Sequence, residues 1–222
     1  MGLGFCTGQR DFGSTVKVMK GKRRYVVALT GASGALYGIE FLKVLLSGGH
    51  EVHFAASKAG RSVLAHETGL TLPADGKGIR EALGRHLPGV STETLHAYAE
   101  DDLFAPIASG SFRLDGMILI PCSMKTVSSL AHGASGNLIE RAGDIALKEK
   151  WPLVVVPRET PLSEIHLSNL LTLARAGARI VPAMPGFYHR PARIEDVIQF
   201  VVARVLDVLG LPLKDAQRWG MP

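Results

Sequence analysis

Apolar positions along the chain change period repeatedly, and each change marks an element. Residues 25–30 (Tyr-Val-Val-Ala-Leu-Thr) form a short, nearly continuous apolar run, the mark of a strand buried on both faces. Gly31-Ala32-Ser33-Gly34 makes a tight turn into a helix near 34–47, apolar at helical spacing and closed by Gly48-Gly49. Residues 51–56 read as the next strand, and Ser57 is placed to cap a helix that starts at Lys58 and turns Val63 and Leu64 inward. A loop through Pro73 and Gly78 leads to a short helix near 79–86 and a strand over 94–98. The loop that follows, with Pro106, is about fifteen residues, long enough to suggest function.

The second half repeats this alternation. A strand over 116–120 ends in a Pro121-Cys122-Ser123 turn, helices follow near 124–131 and 137–149, and a strand over 153–156 is closed by Pro157. A helix over 163–176 and a short strand at 179–181 precede a last helix over 194–209. That helix carries Ile194, Val197, Ile198, Val201, Val202, Val205 and Val208 on one broad face. The pattern predicts an α/β fold, a mostly parallel sheet covered by helices on both sides. We expect one domain over 25–210 without linker or repeat. Residues 1–24, glycine-rich and without periodicity, read as a flexible extension, and 211–222 as a tail in oligomer contacts.

Composition narrows the function. A chain of 222 residues can bury a sizeable core. Its 46% hydrophobic and 20% charged residues suit one that buries much of its surface. No apolar run reaches the roughly 20 residues of a membrane span. The net charge of +5 raises nucleic-acid binding as a question. However, the excess gathers at Lys17, Lys20, Lys22, Arg23 and Arg24, and the other charges form no stripe or known motif. Small anionic substrates account for interior arginines better. Cys6 and Cys122 are too few for a disulfide framework, and the eight histidines show no HExxH-type spacing, so no metal site is expected. Residues 1–24 lack the apolar segment of a secretory signal, which makes a cytoplasmic location the expectation.

The candidate chemistry starts at the first turn. Gly31, Gly34 and Gly38 do not have dinucleotide spacing, and the second strand ends in Ala56-Ser57 with nothing acidic for a ribose diol. A mononucleotide fits better, with Ser33 and Ser57 offering hydroxyls and the helix start offering amides to phosphate or ring oxygens. A plain tight strand–helix connection explains the same glycines, and spacing leaves both readings standing. Ser123 follows a strand end and can donate to an anion or ring atom, whereas Cys122 reads as a core thiol. Arg141 and Lys148 share one helix face two turns apart, where solvation alone would also place them. Pro157-Arg158-Glu159-Thr160-Pro161 stands at the carboxyl end of a strand, where open α/β sheets bind ligands. Arg158 can present two donors to a phosphate and Glu159 can move a proton; a structural ion pair between them is the rival reading. Gly186-Phe187-Tyr188-His189 adds a phenol at the same edge.

With these segments in place, the chain resembles the UbiX family of flavin prenyltransferases. The matching stretches are Thr30-Gly31-Ala32-Ser33-Gly34-Ala35, Pro121-Cys122-Ser123-Met124-Lys125-Thr126, Asn137-Leu138-Ile139-Glu140-Arg141, Ala146-Leu147-Lys148-Glu149, Pro157-Arg158-Glu159-Thr160-Pro161, Ile165-His166, Pro185-Gly186-Phe187-Tyr188 and Arg218-Trp219-Gly220. Gly143 departs, standing where the family tends to have alanine. The resemblance implies a Rossmann-like, flavodoxin-like three-layer sandwich assembled as a dodecamer. It implies transfer of a dimethylallyl group from dimethylallyl monophosphate to reduced FMN, without metal, for use by a UbiD-type decarboxylase. By the same resemblance Gly31, Ala32, Ser33, Ser57, Ser123, Met124, Thr126 and Arg141 hold FMN, with Ser33 near flavin N5. Lys148, Arg158, Tyr188 and Arg204 would surround the substrate phosphate, and Glu159 would transfer a proton. Two alternatives remain. One is an FMN-dependent decarboxylase of cysteinyl peptides, for which His50 is the sole local candidate for the histidine that family carries after its first helix. The other is a flavin storage protein, which would leave the charges of Lys148, Arg158 and Glu159 unexplained.

Overall fold

In the computed structural model, which describes residues 21–213, strands and helices alternate throughout. They are β1 (Arg24–Leu29), α1 (Ala35–Ser47), β2 (Glu51–Ala56), α2 (Lys58–Thr68), α3 (Gly76–His86), β3 (Leu95–Tyr98), β4 (Gly116–Cys122), α4 (Met124–Ala131), α5 (Leu138–Lys148), β5 (Leu153–Pro157), α6 (Glu164–Arg175), β6 (Arg179–Ile180) and α7 (Ile194–Val208). The strands form one parallel six-stranded sheet in the order β3-β2-β1-β4-β5-β6. The chain builds outward from β1 to β3, then returns to lay β4 on the other side of β1. The crevice between the carboxyl ends of β1 and β4 is therefore the place where such sheets bind ligands.

Each strand feeds two cores. Tyr25, Val27 and Leu29 pack with Phe41, Leu42 and Leu45 of α1 and with Val201 and Val205 of α7, whereas Val26 and Ala28 face Val127 of α4 and Ile139 and Ala142 of α5. Burial on both faces is why these strands read as continuous apolar runs. Each fully buried aliphatic side chain contributes roughly 1.5–3 kcal/mol, so the central strands anchor the fold. The helices start where short polar residues accept from the first turn: Ser57 Oγ from Gly60 N at 3.0 Å, Asp75 Oδ1 from Gly78 N at 2.8 Å and Asn137 Oδ1 from Glu140 N at 2.9 Å.

The structure changes several expectations. Capping by Asp75 starts α3 at Gly76, so Gly78 lies in the helix. Pro121 and Cys122 belong to β4 and not to a turn; Pro121 has no N–H to give, yet its carbonyl accepts from both Thr30 N and Thr30 Oγ1 at 3.2 Å. Leu64 is buried while Val63 is only partly so. On α7 the buried residues are Val201, Val202, Val205 and Leu206, and Ile194 is 71% exposed, because only the later turns of that helix lie on the core. Gly143 is accounted for by packing: a Cβ there would stand 2.7 Å from Leu130 Cδ2, whose side chain fills the space. The 1–24 extension up to residue 20, Cys6, Arg218-Trp219-Gly220 and the tail from residue 214 lie outside the described residues. Among the described residues, no helix is long and apolar enough to cross a membrane.

Candidate active site

The carboxyl rim of the sheet gathers the turn after β1, Ser57 after β2, Ser123 after β4 and Arg158-Glu159 after β5. The backbone stitches this rim together. Ser123 N donates to Thr30 Oγ1 at 2.7 Å and Arg158 N to Cys122 O at 3.4 Å, joining the ends of β1, β4 and β5. Gly34, at φ 101°, takes the left-handed conformation that turns the chain into α1. Gly60 lets α2 approach, since a Cβ there would lie 2.5 Å from Leu29 O.

The first turn carries an acid that sequence reading passed over. Glu67, near the end of α2, accepts from Gly34 N at 3.0 Å and from Ala35 N at 2.8 Å. These are the amides expected to hold phosphate or ring oxygens; a carboxylate occupies them instead, and it would repel a second anion. Burial alone would raise the Glu67 pKa. Hydrogen bonds from the Ser33 hydroxyl and the two amides, with the charge of Arg158, outweigh burial and hold it below the usual carboxylate range. Across the crevice, Arg158 Nε donates to Ser33 O at 3.3 Å. Ser33, exposed at the turn, thus sits between a carboxylate and a guanidinium.

The N-terminus of α2 is likewise engaged, because Lys58 N donates to the Glu100 carboxylate. The start of α4 differs. Ser123 Oγ accepts from Thr126 N at 3.4 Å and meets Thr126 Oγ1 at 3.2 Å. That leaves the amides of Met124 and Lys125 pointing out of the helix end, with no intrahelical acceptor. Met124 and Thr126 are themselves buried, so Met124 offers the rim its backbone and not its thioether. Hydroxyls at Ser57 and Ser123, the α4 amides and an uncharged end to β2 fit a mononucleotide flavin. Arg141, one turn into α5 and paired with Asp144 at 3.7 Å, brings a cation to the same rim.

The remaining residues are distributed differently. Helix α5 runs against the strands: Leu138 N donates to Glu100 O beyond β3, and the other end leads through Trp151 into β5. Lys148 therefore lies at the opposite rim from Arg158 and pairs with Glu149 at 2.7 Å. Tyr188 meets the Phe200 ring edge-on at 5.6 Å, and Arg204 sits one turn beyond Phe200, paired with Asp207 at 3.2 Å. Glu159 is exposed and accepts from Thr160 N at 3.0 Å. The ion pairs among the described residues do not include Arg158 with Glu159, which removes the support for a structural pair between them.

Two other groups have settled roles. Cys122 is fully buried and burial pushes its thiol up to about 12, with the Thr30 hydrogen bond pulling the other way; it is a core thiol. His50, 1% exposed, accepts from Arg23 N at 3.3 Å beside the Tyr25 ring, at the start of β2. It is remote from the rim, so the one local candidate for the histidine of a cysteinyl-peptide decarboxylase lies outside the site formed by the described residues.

Comparison with known proteins identifies the family. The Flavoprotein family model matches residues 13–206. A flavin prenyltransferase UbiX from Pseudomonas aeruginosa is 48% identical over 91% of this chain and 96% of its own length. Another from Alkalihalophilus pseudofirmus is 50% identical over 87% and 94%. Among solved structures, AnUbiX (PadA1) in complex with FMN and dimethylallyl pyrophosphate is similar at a TM-score of 0.80 and 42% identity, covering 90% of this chain and 99% of that one. A dodecameric FMN-dependent UbiX-like decarboxylase from Escherichia coli O157:H7 gives 0.78 and 40%, over 89% and 100%. The cypemycin decarboxylase CypD, at 19% identity and a TM-score of 0.57, shares the fold alone. The family match spans most of the chain and the relatives match almost end to end; the chain belongs to the Flavoprotein family and, within it, to the UbiX flavin prenyltransferases.

Proposed function

We propose that this chain joins a dimethylallyl group to reduced FMN, taking it from dimethylallyl monophosphate and releasing phosphate, and that the prenylated flavin serves a UbiD-type decarboxylase in the cytoplasm. The observation that carries this reading is the bond from Arg158 to the Ser33 carbonyl. It sets a phosphate-binding cation beside a hydroxyl that is itself bonded to Glu67. Reduced FMN supplies the nucleophilic N5 and then C6 when bound.

The chain's own groups do the rest. Ser57, Ser123, the α4 amides and Arg141 hold the flavin. Arg158 stabilises the charge that grows on the phosphate as the allylic C–O bond breaks, a donor aimed where charge develops. Ser33, hydrogen-bonded to Glu67, can pass a proton at N5, and Glu159 handles the proton lost at ring closure. Lys148 lies at the rim opposite Arg158 within one chain, so its part in the site requires a neighbouring copy. A homo-oligomer, a dodecamer as in the Escherichia coli relative, provides one.

The test is anaerobic incubation of the protein with reduced FMN and either dimethylallyl monophosphate or pyrophosphate, followed by mass measurement of the flavin. A gain of one prenyl unit with the monophosphate is expected. An unchanged flavin with both donors overturns the assignment, and a gain with pyrophosphate alone overturns the choice of donor. Light scattering should report a many-subunit particle; a monomer at micromolar protein would remove the shared-site reading.

A further inference from the structure

We propose that Glu51, His53 and His96 form a binding site for a divalent metal of the zinc type, on the outer β2–β3 edge of the sheet and apart from the flavin rim. Glu51 and His53 are two positions apart on β2, so their side chains share one face. The parallel register sets His96 of β3 opposite His53. One ligand atom from each of the three lies within 4.8 Å of the other two. Tetrahedral zinc with ligands at about 2.0–2.1 Å holds its ligand atoms roughly 3.3 Å apart. His53 Nε2 and Glu51 Oε1 already stand 3.0 Å apart. Only His96, exposed and able to turn, has to close in.

The surroundings of His53 suit a ligand. It is 2% exposed, stacked on His96 at 4.8 Å and met edge-on by Phe112 at 4.9 Å, which fixes its ring. In the metal-free state Nε2–H donates to the Glu51 carboxylate, which can only accept, and Tyr98 Oη donates to Nδ1 at 2.8 Å. On binding, Nε2 turns to the metal and the proton moves to Nδ1, where the same Tyr98 oxygen accepts it. A second partner that orients the far nitrogen is the usual support of a metal-bound histidine. Two histidines and a glutamate leave one position open for water.

The opposing term is Arg24, whose Nε donates to Glu51 Oε1 at 2.8 Å and whose Nη2 donates to Oε2 at 3.3 Å. A metal on Oε1 displaces the first bond, while the guanidinium keeps Oε2, the Arg113 carbonyl at 3.3 Å and the face of Phe112 at 4.3 Å. A cation so near weakens the site but does not block it. His53 lies four positions before Ser57, roughly 13 Å along β2, so occupancy does not intrude on the flavin.

The experiment is equilibrium dialysis of the full chain, stripped with chelator, against zinc chloride, with cobalt(II) absorption as a second readout. Wild-type protein is expected to take up zinc with half-saturation at about 10 μM and to give the visible bands of four-coordinate cobalt. His96→Ala and His96→Gln are each expected to bind zinc at least about tenfold more weakly and to lose those bands, while flavin binding shows that both are folded. No uptake by wild-type protein, or equal affinity in both variants, overturns the proposal and leaves the three residues as a hydrogen-bonded ion-pair cluster.

Discussion

Replacing Glu67 by glutamine separates a helix cap from a proton relay. The carboxylate receives Gly34 N, Ala35 N and the Ser33 hydroxyl. Ala35 N and Gly34 N both reach Oε2, at 2.8 and 3.1 Å, so an amide carbonyl placed there keeps the backbone bonds. The variant then loses the charge at the start of α1, about 0.3–1 kcal/mol. It also loses a charge-assisted bond to Ser33, at most a further 1–2 kcal/mol on a rim open to water. A total of about 1–3 kcal/mol lowers Tm by roughly 2–12 °C in a chain of this size. The pH dependence follows the carboxyl. Its folded pKa lies below the unfolded value of about 4.3, so its stabilisation is complete above that pH and is lost as pH falls through the folded value. The gap in Tm between wild type and Glu67→Gln should therefore narrow on acidification. Turnover is the sharper readout. With the acceptor for the Ser33 proton gone, prenylated flavin should form about a hundredfold more slowly per flavin-loaded site. Adding Ser33→Ala should cost little more, because the two act as one unit. Turnover within about threefold of wild type, with Tm lowered as described, would refute the relay and leave Glu67 a helix cap.

Three further outcomes are expected. Arg158→Ala should weaken donor binding about tenfold to a hundredfold while flavin affinity holds, measured by KM for the donor and by flavin titration; lost flavin with an unchanged donor KM would assign the arginine to the other ligand. Glu159→Gln should slow product formation about a hundredfold with little change in Tm, since Glu159 is exposed and has no ion pair with Arg158; a pH–rate profile that keeps its acidic limb would shift the role to phosphate. Gly38→Ala gains up to about 1 kcal/mol of helix propensity, but its Cβ would stand 2.4 Å from the Ile120 carbonyl. Overpacking against backbone costs about 3 kcal/mol, so calorimetry should find Tm lower by roughly 4–8 °C, and an unchanged Tm would show that α1 can shift away from β4.

What sequence alone determined here is local. Runs such as Val26-Val27-Ala28 and Val154-Val155-Val156, apolar without alternation, require burial on both faces and hence a parallel, helix-covered sheet. Ser57, Asn137 and Ser163 mark helix starts through bonds made within three residues of themselves. The segments that carry the family resemblance cluster at strand ends, so Ser33, Ser123 and Arg158 could be named in advance and the rim does unite them. What only the tertiary structure decided depends on direction and register. Glu67 reads in sequence as one residue of a helix end; it becomes the acceptor for Ser33 only because β1 and β2 run parallel and lay α2 back beside the first turn. Lys148 shares a helix face with Arg141 in any reading, but the run of α5 against the strands carries it to the far rim. Glu51 and His96, distant in sequence, meet because β3 pairs with β2 in one register and no other. Periodicity records which face of an element is buried. It does not record which element lies alongside or which way it runs, because those follow from long-range contacts whose closure no local pattern encodes.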